Sequence, residues 1–366
     1  MKGNRKPSLS AAVRVLSSIF SRGTRKPKKG GRKVGLPRLV ARRAAIGAAA
    51  IVATLSLVGG WFVSHPWQWI SDKCDDWPRF VTAPLIYFGD RAIMVTDGLG
   101  WTGHDAVYDF DEPAPAGEVL FAGAPVRTGP PAPSDVRVVE RGEFTVGWSP
   151  SLKHPLWVAY HVPAEKAYEA GKRPGFRADP GVPGTPPAAA YKGTGYDRGH
   201  MAPNYAIATR FGTEAQKKTF LTSNVAPQRP SLNRGPWREI EHRIADLWTA
   251  KYGEIWVVVG CVPGHEEDRL PSGVDAPKAF WQVIAAQTAD GVRALAVYMP
   301  KNIPYSAFPV HNIVTIDELE RLTGLDFFPN MPKFLQNPLE ADLPTRLWPV
   351  RIVDMLKLIM LRFGGR

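Results

Sequence analysis

The sequence predicts an α+β chain: a central antiparallel β-sheet flanked by helices and preceded by a transmembrane helix. Six runs rich in branched and aromatic residues lie between positions 137 and 299, and such residues suit a pleated, half-buried surface. Pro236 to Tyr252 carries apolar residues at helical spacing. Ala44 to Val63 runs 20 residues without a charge.

An apolar fraction of 44% with 10% aromatics is ample for a buried core. The formal net charge of +12 is unevenly placed. Residues 1–43 hold 14 Lys and Arg and no acid, which leaves 32 basic against 34 acidic residues in the remainder. Attraction for phosphate in that remainder must come from local clusters. The two cysteines, Cys74 and Cys261, do not make a disulfide framework, although a bridge between them stays open. No Cys/His cluster has the spacing of a structural zinc site.

In chain order, residues 1–43 read as a disordered basic tail. Residues 44–63 are long enough, at ~1.5 Å per residue, to cross the ~30 Å hydrocarbon layer. Arg42 and Arg43 flank the near end, and Trp61, Trp67 and Trp69 follow at the far end. This pattern makes the chain a single-pass membrane protein with a cytoplasmic N-terminus and its bulk on the far side. A cleaved signal peptide and a mitochondrial transit peptide are the rivals, the latter placing the chain at the mitochondrial inner membrane. Residues 64–118, with Pro113-Ala114-Pro115-Ala116-Gly117, read as a tether or cap.

Residues 119–349 form the main domain. Strands are expected over 137–140, 144–148 and 156–162, then a Gly/Pro-rich loop over 172–188. Thr213 to Thr219 is a short helix candidate. Pro236 suits the first turn of the next helix, with Ile240, Ile244, Leu247 and Trp248 on one face and Gly253 as the stop. Strands follow over 254–260, 280–286 and 293–299. A helix over Ile316 to Thr323 has Asp317 and Glu318 in its first turn and ends at Gly324. Residues 350–366 read as an amphipathic helix that packs on the core or lies on a membrane surface.

Two blocks carry chemistry. Gly195-Tyr196-Asp197-Arg198-Gly199-His200-Met201-Ala202-Pro203-Asn204 joins an arginine fork suited to phosphate oxygens to a histidine that can take a proton from water. Read blandly, it is a turn whose Asp197 and Arg198 pair. Downstream stand Ser223-Asn224-Val225-Ala226-Pro227-Gln228, then Asn233, Trp237 and Glu241. Together these blocks resemble the DNA/RNA non-specific endonucleases, over roughly Ala122 to Pro349.

That resemblance implies a ββα-metal finger, with the histidine on a strand beside a helix that carries the asparagine. It makes His200 the general base and Asn233 the direct ligand of Mg²⁺, with Mn²⁺ as an alternative. An amide oxygen is a hard ligand suited to such an ion. Glu241 would support the ion from a further layer, or pair with Arg238 or Arg243. Eight steps of ~100° along a helix would set it within ~80° of Asn233's face. Asn224 would orient the ion's waters or the base, or serve only as a turn amide. Arg198 and Arg173 would clamp phosphate. Arg173 belongs to an Arg-x-x-Phe-x-x-Asp element with Phe176 and Asp179, and has Lys172 and Arg177 as competitors. Gln228 and Trp237 would be supports. Gln282 stands where relatives often carry lysine, which implies a weaker grip on substrate.

The implied reaction is sugar-indifferent hydrolysis of DNA and RNA leaving 5′-phosphate ends, and a homodimer is the implied assembly. The alternative is a catalytically silent nucleic-acid-binding or structural module of the same fold.

Overall fold

The structure is a computed structural model that describes residues 103–108, 119–289 and 291–354. The basic tail, the 44–63 span and most of the 350–366 helix lie outside the described residues. Among the described residues, no helix is long and apolar enough to cross a membrane.

The strands are β1 (Ala106–Tyr108), β2 (Val126–Arg127), β3 (Arg137–Glu140), β4 (Phe144–Ser149), β5 (His154–Val162), β6 (Asp197–His200), β7 (Val225–Gln228), β8 (Ile255–Val262), β9 (Ala279–Thr288), β10 (Gly291–Pro300), β11 (Ile313–Val314) and β12 (Leu325–Asp326). The main sheet has the order β1-β10-β9-β8-β5-β4-β3, with β11 sharing the β10 edge with β1. All its pairings are antiparallel. The pairs β6–β7 and β2–β12 form two separate ribbons. Each of the six expected strands is present: β3 keeps its expected bounds, β8 runs one residue later at its start and two further at its end, and the other four are extended by one to three residues.

The helices are α1 (Asn204–Thr219), α2 (Pro230–Arg234), α3 (Pro236–His242), α4 (Thr249–Tyr252), α5 (Ile316–Thr323) and α6 (Lys333–Ala341). Because successive strand side chains point to opposite faces, the sheet sorts its apolar residues into two cores. Ile255, Val257 and Val259 of β8 pack with Trp237, Ile240, Ile244 and Trp248. Trp256, Val258 and Val262 pack on the other side with Leu319 and Leu339. Helices therefore cover both faces. The stripe expected on the long helix is buried as a unit, each such side chain contributing ~1.5–3 kcal/mol. Thr315 caps α5 by accepting from the Glu318 backbone N–H at 2.9 Å, and Gly324 closes it at φ 71°.

Three features depart from the expectations. Helix α1 begins at Asn204, directly after the histidine motif, and is broken at Gly212 (φ 83°). Ala206 and Ile207 are buried in the core there, so tertiary packing overrides a weak local pattern. The long helix is continuous in direction but contains a wide π-helical turn, Arg243–Trp248. Within that turn the Ala245 carbonyl accepts from Arg210 Nη2 at 2.6 Å and from Thr249 Oγ1 at 3.1 Å. Finally, residues 103–108 of the stretch read as a tether join the sheet. Asp105 is held by Arg293 at 2.7 Å and Arg346 at 2.8 Å, which anchors β1 on β10. Cys261, on β8, is buried with a free thiol.

Candidate active site

Between β5 and β8 the chain leaves the sheet and builds a cleft. In the β6–β7 ribbon, His200 lies opposite Val225 and Asp197 opposite Gln228. A Cβ at 199 would stand 2.1 Å from Gln228 Oε1, so any larger residue there would have to displace the Gln228 side chain. Helix α2 then carries Asn233 and α3 carries Glu241. The two are not on one helix. Gly235 interrupts the path at φ −103°, ψ −117°, so the eight-step helical relation expected between Asn233 and Glu241 does not apply. Backbone crowding makes this break possible only without a side chain: a Cβ at 235 would lie 2.5 Å from the Ser231 carbonyl and 2.7 Å from that of Tyr305. Gly235→Ala is therefore expected to destabilise the domain by about 1–3 kcal/mol, read as a lowered Tm. An unchanged Tm would contradict this packing.

The cleft has a volume of about 870 Å³, and His200, Arg198, Arg173, Asn233, Glu241 and Phe176 all line it. The His200 ring sits 5.0 Å from Phe176 and 4.7 Å edge-to-face from Phe220. Its Nε2 is enclosed without a hydrogen-bond partner. Burial, and then the charges of Arg173 and Arg198, push this imidazole down to about 3. Glu241 moves the other way. Burial raises it to about 8, against the pull of Trp237, Arg173 and Arg238.

Asp197 is the hub of the opposite wall. It accepts from Asn233 Nδ2 at 2.9 Å and from Arg234 at 2.8 and 2.6 Å. These bonds outweigh burial and hold its carboxyl below the usual range. A carboxylate can only accept, so Asn233 must present its amino group to Asp197 and turn its carbonyl oxygen elsewhere. Arg198 is thereby released from its sequence neighbour, and its guanidinium lies 4.8 Å over the Phe176 ring. Arg173 reaches the cleft, whereas its competitors Lys172 and Arg177 do not line it. Arg177 instead bridges to Leu221 through its backbone.

Asn224 is not among the cleft residues. It is fully buried; its Oδ1 accepts from Ala202 N at 2.8 Å and its Nδ2 donates to Ala202 O and Thr219 O at 3.0 Å. Its amide thus fastens the segment that follows His200. Asp179 is likewise structural, tied to Arg141 and Ser223. Gln282 is buried within β9 and faces no part of the cleft, so the exchange with lysine at that position cannot be read as a lost contact to substrate here.

The family model for the DNA/RNA non-specific endonucleases matches residues 123–334. The chain belongs to this family. The nuclease is 30% identical over 225 residues to a nuclease of Nostoc sp. (strain PCC 7120 / SAG 25.82 / UTEX 2576), which covers 57% of this chain and 78% of the relative. It is 32% identical over 241 residues to mitochondrial endonuclease G of Bos taurus, covering 60% and 80%. Among solved structures, that of the EndoG/EndoGI complex is similar at 26% identity, covering 54% of this chain and 87% of that one with a TM-score of 0.48.

Sequence reasoning about the nuclease missed the Asp197–Arg234 pair and the Phe220 wall, and named Arg238 only as a partner for Glu241. Arg234 follows Asn233 directly, but nothing in the order of residues says that Asp197 prefers it to Arg198. That choice comes from the ribbon, which sets β6 beside α2.

Proposed function

We propose that the chain is a membrane-anchored, metal-dependent endonuclease that hydrolyses phosphodiester bonds of DNA and RNA and leaves 5′-phosphate ends. One observation carries this reading: a neutral imidazole and an amide oxygen share one cleft with Arg173 and Arg198, neither of which is in a salt bridge among the described residues.

The residues present fit a hard divalent cation. Asn233 has its oxygen turned away from Asp197, and Glu241 is a half-buried carboxyl that holds its proton until positive charge arrives. Asn233 would hold the ion directly and Glu241 from beyond its water shell. Bound there, Mg²⁺, or Mn²⁺ in its place, would supply positive charge to the phosphate and to the leaving oxygen. His200, neutral at any physiological pH, takes the proton of the attacking water. Phe176 and Phe220 exclude solvent around the ring and fix its plane. Arg198 and Arg173 hold the phosphate oxygens, and since backbone contacts carry no sequence information, cutting is indifferent to base. Asn224 keeps His200 in place through Ala202.

The test is cleavage of plasmid DNA and of RNA by the detergent-extracted full chain, with Mg²⁺ and with EDTA. Binding without cleavage would favour the silent module. The pH profile gives a second check. With His200 at about 3, the acid limb belongs to Glu241, whose proton competes with the cation from about 8 downward. Activity is expected to rise between pH 6 and 9, and the apparent pKa to fall as Mg²⁺ is increased. A limb that ignores Mg²⁺ would remove Glu241 from the ion's surroundings.

Ala44 to Val63 supports the single membrane span, and the flanking arginines support a cytoplasmic N-terminus with the nuclease domain across the membrane, periplasmic in a bacterium or facing the intermembrane space in a mitochondrion. Protease accessibility in intact cells reads this directly. A homodimer is the proposed assembly, to be read from the mass of the detergent-solubilised chain.

A further inference from the structure

Three guanidinium groups line the cleft without an ion pair among the described residues: Arg173, Arg198 and Arg238. The other cations near its rim are engaged. Arg234 is bound by Asp197, and Lys166 by Asp246. Arg173 and Arg198 are the two already placed on the scissile phosphate. Arg238 comes from a different element, α3, three residues before Glu241, which sets it on the same helical face at ~5–6 Å between Cβ atoms.

A phosphodiester carries a single negative charge. Two arginines and a divalent ion already exceed it, so a third guanidinium is surplus to the scissile group. A neighbouring phosphate of a polynucleotide is the anion that recurs at a fixed distance along the same backbone. We infer that Arg238 is a substrate-binding residue that grips the phosphate adjacent to the scissile one, making the cleft selective for chains over isolated phosphodiesters. This rests on the nuclease reading of the cleft. Asp197 is held by Arg234 and Asn233, and Asp246 by Lys166 and by His242 at 3.2 Å, while Glu241 feels the charge of Arg238 but forms no salt bridge with it.

The test compares full-length wild type with Arg238→Ala and Arg238→Lys. The substrates are a single-stranded 12-mer and bis(p-nitrophenyl) phosphate, which has one phosphate only. Arg238→Ala is expected to lose about tenfold more kcat/KM on the oligonucleotide than on the small diester, mostly through KM, with Arg238→Lys recovering part of it. Binding of the same oligonucleotide on a His200→Ala background reads the contact whether or not cleavage occurs. There the slope of log K against log salt should shrink by about 0.7 when Arg238 is removed. Equal losses on both substrates would mean that Arg238 acts only through Glu241, and an unchanged salt slope would mean no phosphate contact; either overturns the inference. Failure of the wild type to cut the 12-mer, with the salt slope still dependent on Arg238, would sink the catalytic reading and leave the contact standing.

Discussion

His200→Ala is expected to lower kcat on plasmid DNA by about 10²–10⁴-fold, the range for loss of a positioned proton acceptor, with little change in KM. The ring contributes in two ways. It offers a lone pair that stays free of a proton near neutral pH, because burial and the adjacent arginines hold the group down to about 3. It also completes a cluster with Phe176 and Phe220, whose rings touch at 4.9 Å, so its removal opens one side of that cluster to water. His200→Asn keeps some of that volume and should be no more active than His200→Ala. Full activity in either variant would eliminate this residue as the base. Melting curves of both variants separate a chemical defect from a folding one.

Glu241→Gln is expected to abolish cleavage and at the same time to stabilise the metal-free protein at alkaline pH. The native carboxyl titrates near 8, against a usual 4.5. The folded state therefore binds the extra proton between those values, and the stability it confers is complete below 4.5 and gone above about 8. Glutamine keeps the shape of the protonated acid and carries no charge to bury. In EDTA at pH 9 the variant should melt several degrees above wild type, as a shift of this size amounts to a few kcal/mol. The gap should close toward pH 5, and Mg²⁺ should narrow it by stabilising only the wild type. Equal Tm values at pH 9 would show that Glu241 is better solvated than its burial implies.

Much of the scaffold was legible in the sequence because its signals are local. Strand runs such as Ile255–Val262 and the capped helix Ile316–Thr323 declare themselves by side-chain period and end residues. The cleft was legible as a set of residues for a different reason. His200 and Asn233 stand in a fixed order that matches a known family, and no physics of the single segments was required. What could not be read were partners brought together by the fold. Asn224 looked like a group facing the reaction, yet it is consumed by Ala202 and Thr219 because α1 and the turn before β7 converge on it. Asp197 looked like a partner for Arg198, yet two strands and a helix deliver Arg234 first. The helical relation expected between Asn233 and Glu241 fails at Gly235, and only the carbonyls of Ser231 and Tyr305 reveal why the path breaks there.

The wide turn at Arg243–Trp248 has a consequence of its own. A π turn holds one residue more than the α turn it replaces, so the segment is in effect a single-residue insertion tolerated because Arg210 ties down the displaced Ala245 carbonyl. Deleting one residue from it would rewind the helix and swing everything beyond by about 100°. Trp248 and Tyr252, which hold the carbonyls of Trp348 and Pro349, would then lose their grip on the end of the domain while Glu241 stayed in place. Length at this one position, more than the identity of any side chain in the turn, decides whether the two ends of the helix can both be seated.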